Sequence, residues 1–295
     1  MTRLRDDVRG IVVASVAAIV FGTFAILAKL AYSDGAEMVP LLATRFGVAA
    51  CLLALYHAVT RRSLWPGRTH VVRLLLLGGV AYAAEAALFF MGAERAPASV
   101  VGLVFFTYPM WTALLAFATR MERYSHRTVA ALLLGSAGVT LIFSIRLESL
   151  AGPLFALGAA ISLAVYLLIA QVVAAPVAPS VAATWIALGA ALAFGASTVV
   201  TGTPLAADAV DEAVALGAVT AVAFVLLYWA ISLIGSTRVT IASTLEPVAT
   251  VVFAAVLLDE AITLRVALGA ALVVAALPVL ATAPATADAA APAGP

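Results

Sequence analysis

The sequence predicts an all-α membrane protein, with ten transmembrane helices arranged as two inverted five-helix repeats. Three observations predict it: a composition too apolar for a water-facing surface, ten apolar runs of membrane-spanning length, and a punctuation pattern that occurs twice at one fixed offset. Of 295 residues, 65% are hydrophobic and 11% charged, and the mean hydropathy is +1.15. A soluble chain is roughly 45–50% apolar and about 25% charged, so these residues cannot cover a surface in water.

A helix needs about 20 apolar residues to cross the hydrocarbon core. Such runs fall at about 10–29, 39–59, 74–93, 98–119, 128–145, 152–172, 180–201, 213–234, 238–258 and 264–283. The connections are short, which leaves no room for a water-soluble domain. The first run follows Arg3, Arg5 and Arg9 and reaches Lys29 without a convincing cleavage site, so it reads as a retained helix. Residues 284–295 read as a disordered tail. With the N-terminus inside, eleven basic residues face the cytoplasm, among them Arg61, Arg62, Arg120 and Arg238, against four outside. The positive-inside rule then places both termini in the cytoplasm of a multi-pass protein of the cell (inner or plasma) membrane.

"TYPMWTALLAFATRMERYSHR" (107–127) and "LEPVATVVFAAVLLDEAITLR" (245–265) share their punctuation. Pro109, Glu122, Ser125 and Arg127 recur as Pro247, Glu260, Thr263 and Arg265, each 138 residues later. A unit of five spans is odd, so the second copy enters the membrane from the opposite side. Inverted pairs of this kind are typical of secondary transporters, with the substrate site near the midplane between the repeats. The two units cover about 10–145 and 148–283.

Charges at membrane depth are expensive and mark function by default. Three lie well inside spans: Arg45, Glu85 and Glu246. Arg45 is about 9 Å and Glu85 about 12 Å from the same side at the helical rise. An Arg45–Glu85 pair is therefore expected, either on the cavity side or as a lock between two helices. Glu246 would then lack a cationic partner and act as a proton carrier or as a receptor for a cationic group; the alternative is a neutral acid hydrogen-bonded to a neighbouring helix. Pro247 follows at once, and Pro109 occupies the matching place. Each removes a backbone donor and predicts a kinked helix, tolerated at this depth only where protein or a water-filled cavity serves the freed groups.

Tyr82, Tyr108, Trp111 and Tyr166 are the aromatic candidates around these charges, for cation–π contact with an amine-bearing ligand or for packing alone. Trp185, Tyr228 and Trp229 read as interfacial belt residues, and the three histidines (His57, His70 and His126) likewise as ordinary interfacial residues. Glu122 and Glu260 read as structural groups at the starts of the following helices.

The order of segments resembles the EamA family of the drug/metabolite transporter superfamily. The motifs that carry this are "TRFGVAA" around Arg45, the Pro…Glu-x-x-Ser/Thr end of each repeat, and "LEP" at 245–247. The resemblance implies ten helices in two inverted bundles around a central cavity, usually exporting a small metabolite. The first repeat departs from it with "TYP" where the second has "LEP", and with "MER" in place of the more usual Gly-Glu.

The function expected is secondary active transport by alternating access: export of a small molecule such as an amino acid or amine-bearing compound, with protons as candidate coupling ions. Neither a cofactor nor a metal is expected, since Cys51 is the single cysteine and no Cys/His cluster exists. Nucleic acid is excluded as a partner by a net charge of +1 and the lack of a long basic run. Membrane lipids are the expected surroundings, around a monomer or homodimer. An intramembrane enzyme is the alternative from another class, but HExxH and GxSxG are absent and no histidine lies within reach of Cys51. A passive channel would carry like groups at matching positions, whereas Tyr108 and Glu246 differ.

Overall fold

The computed structural model describes residues 2–93, 95–96, 98–122, 125–142, 150–257 and 262–283, and among these every regular element is helical. The helices are α1 (Thr2–Gly22), α2 (Phe24–Ser33), α3 (Met38–Val59), α4 (Arg68–Leu76), α5 (Ala83–Ala93), α6 (Ala98–Phe105), α7 (Tyr108–Ala118), α8 (His126–Ile142), α9 (Ala151–Ala174), α10 (Pro179–Thr201), α11 (Val210–Ala242), α12 (Leu245–Leu257) and α13 (Leu264–Ala281). Eight helical stretches are long and apolar enough to cross a membrane, and His126–Ile142 and Leu245–Leu257 are shorter apolar helices. The outer surface carries large apolar side chains such as Phe117, Leu154, Val199 and Val200. Water would not favour so many exposed large apolar side chains; lipid does.

Local sequence explains the element ends. Pro179 opens α10, where a missing N–H is harmless, and Gly202 closes it in the left-handed conformation. Thr263 caps α13, its hydroxyl accepting from Val266 N–H, and Ser125 Oγ serves Thr128 N–H at the start of α8. Glu122 does not cap that helix: it is buried. Glu260 lies outside the described residues, as does the tail at 284–295.

Several runs read as single spans are broken in the structure. The first is interrupted at Thr23, between α1 and α2. The third passes through a π-helical segment, Leu77–Tyr82, between α4 and α5. The fourth stops after Phe105 and restarts at Tyr108. The run at 238–258 belongs to two helices: α11 ends at Ala242 and α12 starts at Leu245. The prolines therefore sit at restarts rather than at bends in a continuous helix. Ser243 O, the acceptor that Pro247 has no N–H to serve, takes Glu246 N–H at 2.9 Å.

The principal helix pairs are α8 with α13, α3 with α10, α1 with α11, and α5 with α9, and two further contacts, α1 with α12 and α7 with α9, match each other. Exchanging the first five runs for the last five maps each pair onto itself or onto another in the set. The core is made largely of small residues, such as Ala14, Ala17, Ala160, Ala182 and Ala187. That is the usual means of bringing helices close where lipid removes the hydrophobic drive between them.

Candidate functional site

The breaks place their polar residues at one locus in the bundle. Beside the π segment stands Arg45 on α3, 8% exposed. Its Nε donates to Thr220 Oγ1 on α11 at 2.8 Å, and its guanidinium lies 4.1 Å from the Phe24 ring centre and 4.8 Å from that of Phe46. Thr220 passes its own proton to Leu216 O at 2.6 Å. Arg45 thus joins the first and second halves of the chain, and the expected Arg45–Glu85 ion pair is not formed. Glu85 and Glu246 are close enough to act on the guanidinium electrostatically, and the Tyr82 phenol lies beside it, but the hydroxyl of Thr220 occupies the contact. One cation is shared between two carboxylates rather than assigned to one.

The two restarts adjoin these charges, Glu246 acting on the cation and Tyr108 lying beside the carboxylates. On one side Thr107 Oγ1 donates to Val104 O at 2.6 Å and accepts Trp111 Nε1 at 3.2 Å, which fixes the Trp111 ring against the break. On the other, Ser243 Oγ donates to Val239 O at 2.9 Å and Thr244 Oγ1 to Ile241 O at 2.7 Å. Each of these carbonyls also accepts the backbone N–H of the same threonine or serine. The hydroxyls thus add a second hydrogen bond at the helix ends, and protein groups of this kind are how a broken backbone survives at membrane depth. Tyr108 is buried, with Ser243, Glu246 and Glu85 as electrostatic neighbours. Glu246, on the first turn of α12, is half-buried, as are Tyr82 and Trp111.

Aromatic rings surround the charges. Tyr82 is the hub, 5.3 Å from Phe46, 5.4 Å from Tyr166 and 5.8 Å from Phe224, ring centre to ring centre. Tyr166 and Tyr228 share a hydroxyl–hydroxyl hydrogen bond. Tyr228 is 2% exposed, so it is a core residue and not part of an interfacial belt. His57, read as interfacial, is buried as well. Trp185 Nε1 donates to Leu64 O at 2.9 Å and its ring packs on Trp65.

All seven expected cavity residues, Arg45, Tyr82, Glu85, Tyr108, Trp111, Tyr166 and Glu246, fall in or beside this cluster. Sequence reasoning missed Thr220, Ser243 and Tyr228. Thr220 carried a signal: it stands 138 residues after Tyr82, the same offset that relates the two prolines.

Two copies of one family model match the chain, over residues 8–144 and 150–282; the family is described as EamA-like transporters. The chain belongs to the EamA-like transporter family. It is therefore a multi-pass membrane transporter of the drug/metabolite transporter superfamily. A solved crystal structure of another protein aligns with this EamA-like chain at a TM-score of 0.80, covering 93% of it and 98% of its own chain at 20% identity. At that identity the likeness speaks for the fold. No curated protein matches the sequence.

Proposed function

We propose that this EamA-like protein is a secondary active transporter that exports a small amine-bearing metabolite, such as an amino acid, by alternating access. The observation that carries the reading is the shared cluster at the two helix restarts, where one arginine stands among two carboxylates and a ring of aromatic side chains. With both carboxylates ionised the cluster holds one negative charge more than Arg45 balances. An amine supplies the missing cation, with Tyr82 and Trp111 as faces for it, and a proton is the natural alternative occupant. Ionised Glu85 and Glu246 are the groups to receive either.

The same reading includes ten crossings in two inverted repeats. The matched helix pairs, the 138-residue offset and the odd number of runs per repeat support it. Both termini lie in the cytoplasm of the cell membrane in this arrangement, following the distribution of Arg and Lys. Alternating access then rocks one repeat against the other about the cluster.

Untargeted mass spectrometry of the medium of cells expressing the wild type, Glu246→Gln or no transporter tests the proposal. The expected result is an amine-bearing compound enriched outside the wild-type cells alone. Equal export by the Gln variant at equal membrane abundance removes Glu246 from the site, and an enriched compound without a cationic group overturns the amine reading.

A further inference from the structure

The bundle end where α1 begins and α13 ends contains a second enclosed polar group. It is built on the interruption of α11 at Gly235, where φ is 75° and ψ is 164°, a conformation open mainly to glycine. The chain after it is tied to α9: Ser236 N–H donates to Gln171 Oε1 at 2.5 Å and Ser236 Oγ to Leu167 O at 2.7 Å. Arg238 follows, 1% exposed. Its Nη1 donates to Asp7 Oδ1 on α1 at 2.8 Å and its Nη2 to Leu280 O on α13 at 3.1 Å. One guanidinium thus clasps three helices, and its Nε has no acceptor.

Glu122, just beyond α7, is buried against this clasp at 3% exposure. Thr237 and Gln171 lie beside its carboxyl and Arg238 is the charge that acts on it, yet neither carboxyl oxygen is held in a hydrogen bond of standard geometry. A Cβ on Gly235 would come within 2.9 Å of Glu122 Oε1, so the carboxyl sits directly on the break.

We propose that Glu122 is a proton-binding site of this chain, separate from the central cluster, and that losing its proton draws Arg238 away from Asp7 and loosens α1. The charges argue for it. Arg238 and Asp7 already form a neutral pair, so an ionised Glu122 would bury a second anion against one cation. A buried carboxyl in that position keeps its proton. Burial pushes the Glu122 carboxyl above the usual carboxylate range, with contacts from Thr237 pulling the other way. When the proton leaves a carboxyl oxygen for water, the open Nε of Arg238 gives the new carboxylate a partner. Asp7, with 16% of its side chain exposed, can return to water in exchange.

Each arrangement leaves Arg238 with one carboxylate, but only the first fastens α1 to α11 and α13. Among the described residues, other charged groups on the neighbouring helices are engaged elsewhere: the Arg9 guanidinium on α1 lies 4.8 Å from the Trp229 ring centre. Arg127, at the start of α8, donates to Thr282 O at 2.7 Å, Gln171 on α9 is neutral, and α13 offers a backbone carbonyl. The consequence reaches the central cluster because α1 also packs on α12, where Thr250 Oγ1 donates to Gly22 O at 3.1 Å. The inference needs only a bundle that opens at this end; it does not depend on the substrate proposed above.

The test uses the full chain, purified into lipid nanodiscs. Infrared difference spectra from about pH 5 to about pH 9 follow the C=O stretch of protonated carboxyl groups. A part of that signal that fades as pH rises is expected in the wild type and in Glu85→Gln/Glu246→Gln, and is expected to be missing from Glu122→Gln. In a Cys51→Ala background, spin labels at Val8 on α1 and Thr282 beyond α13 report the clasp. Their distance distribution is expected to widen with rising pH in the otherwise native protein, to stay narrow in Glu122→Gln, and to be wide at every pH in Asp7→Asn. Identical carbonyl titration with and without Glu122 overturns the proposal, and so does a Val8–Thr282 distance that neither pH nor Asp7→Asn alters. If Glu122→Gln does not accumulate, the Asp7→Asn distances decide alone.

Discussion

The break before Tyr108 and the break before Glu246 are built alike and equipped differently. In both, a helix stops, two residues turn, and a new helix starts with a proline in its first turn. In both, threonine hydroxyls return to carbonyls three residues back, Thr107 to Val104 O and Thr244 to Ile241 O. The residue before the proline is a buried phenol in one and a half-buried carboxylate in the other. The backbone device is thus common to the two repeats and serves the fold. The side chain mounted on it differs, and in the proposed transporter that difference serves the chemistry.

This contrast is broken most directly at its polar end. Glu246→Gln keeps size and hydrogen bonding but removes a charge, and a lost charge-assisted contact is worth about 1.5–3 kcal/mol. Transport, once the substrate is known, is expected to fall roughly 10- to 100-fold at unchanged membrane abundance. Tyr108→Phe removes a neutral hydroxyl, worth about 0.5–1.5 kcal/mol, so a fall of about 2- to 10-fold is expected. Equal losses in the two variants would erase the distinction drawn here.

A second comparison sets the π-helical route into Glu85 against the regular helix at the matching place in α11. The π segment brings Gly78 onto the backbone of Ile186, so that a Cβ there would meet the carbonyl of Ile186 and its Cα. Gly78→Ala must push α10 away or unwind the segment, and overpacking of this sort costs about 1–3 kcal/mol. The expected outcome is a lower thermal-unfolding midpoint in detergent together with weaker transport, since Tyr82 and Glu85 follow directly. A midpoint and transport rate equal to wild type would mean that the close approach is not needed.

Much of this was legible in the sequence because lipid simplifies the code. Apolar runs, misplaced charges and a repeated Pro…Glu-x-x-Ser/Thr pattern are visible without knowing a single contact, and they lead to Arg45, Glu85 and Glu246. What stayed hidden depends on three-dimensional competition for partners. Arg45 was assigned to Glu85 by depth alone, but a hydroxyl from the other repeat, Thr220, takes its Nε. Arg238 was counted among cytoplasmic surface charges because it lies between two apolar runs, where charges are usually solvated. The turn is so tight, through Gly235, that Arg238 is drawn inside with Glu122. Hydropathy also joined helices that the hydroxyls of Thr23, Thr107, Ser243 and Thr244 help to end, since one threonine hardly changes an average.

The hydroxyls and prolines can be separated by substitution. Thr244→Val removes one buried hydroxyl bond and is expected to lower stability by about 1 kcal/mol. Thr107→Val also deprives Trp111 Nε1 of its acceptor, and a somewhat larger loss, about 1–2 kcal/mol, is expected. Differential unfolding of the two variants in one detergent gives the ordering, and a larger loss for Thr244→Val would contradict it.

The smallest effects are expected at the prolines themselves, and that is informative. A proline forced into the middle of a helix costs about 3 kcal/mol relative to alanine, so its removal from a strained kink should stabilise by that order. Pro247 is in the first turn of α12, where its missing N–H has no helical acceptor waiting, and Ser243 O is already taken by Glu246 N–H. Pro109 is likewise in the first turn of α7, where Met110 N–H turns back to Thr107 O at 2.9 Å. Pro247→Ala and Pro109→Ala should therefore each change stability by less than about 1 kcal/mol, with the breaks kept open by Thr107, Ser243 and Thr244. A gain near 3 kcal/mol on removing either proline would show the opposite: that the proline holds the helix apart by strain, and that the hydroxyls only tidy the ends it leaves.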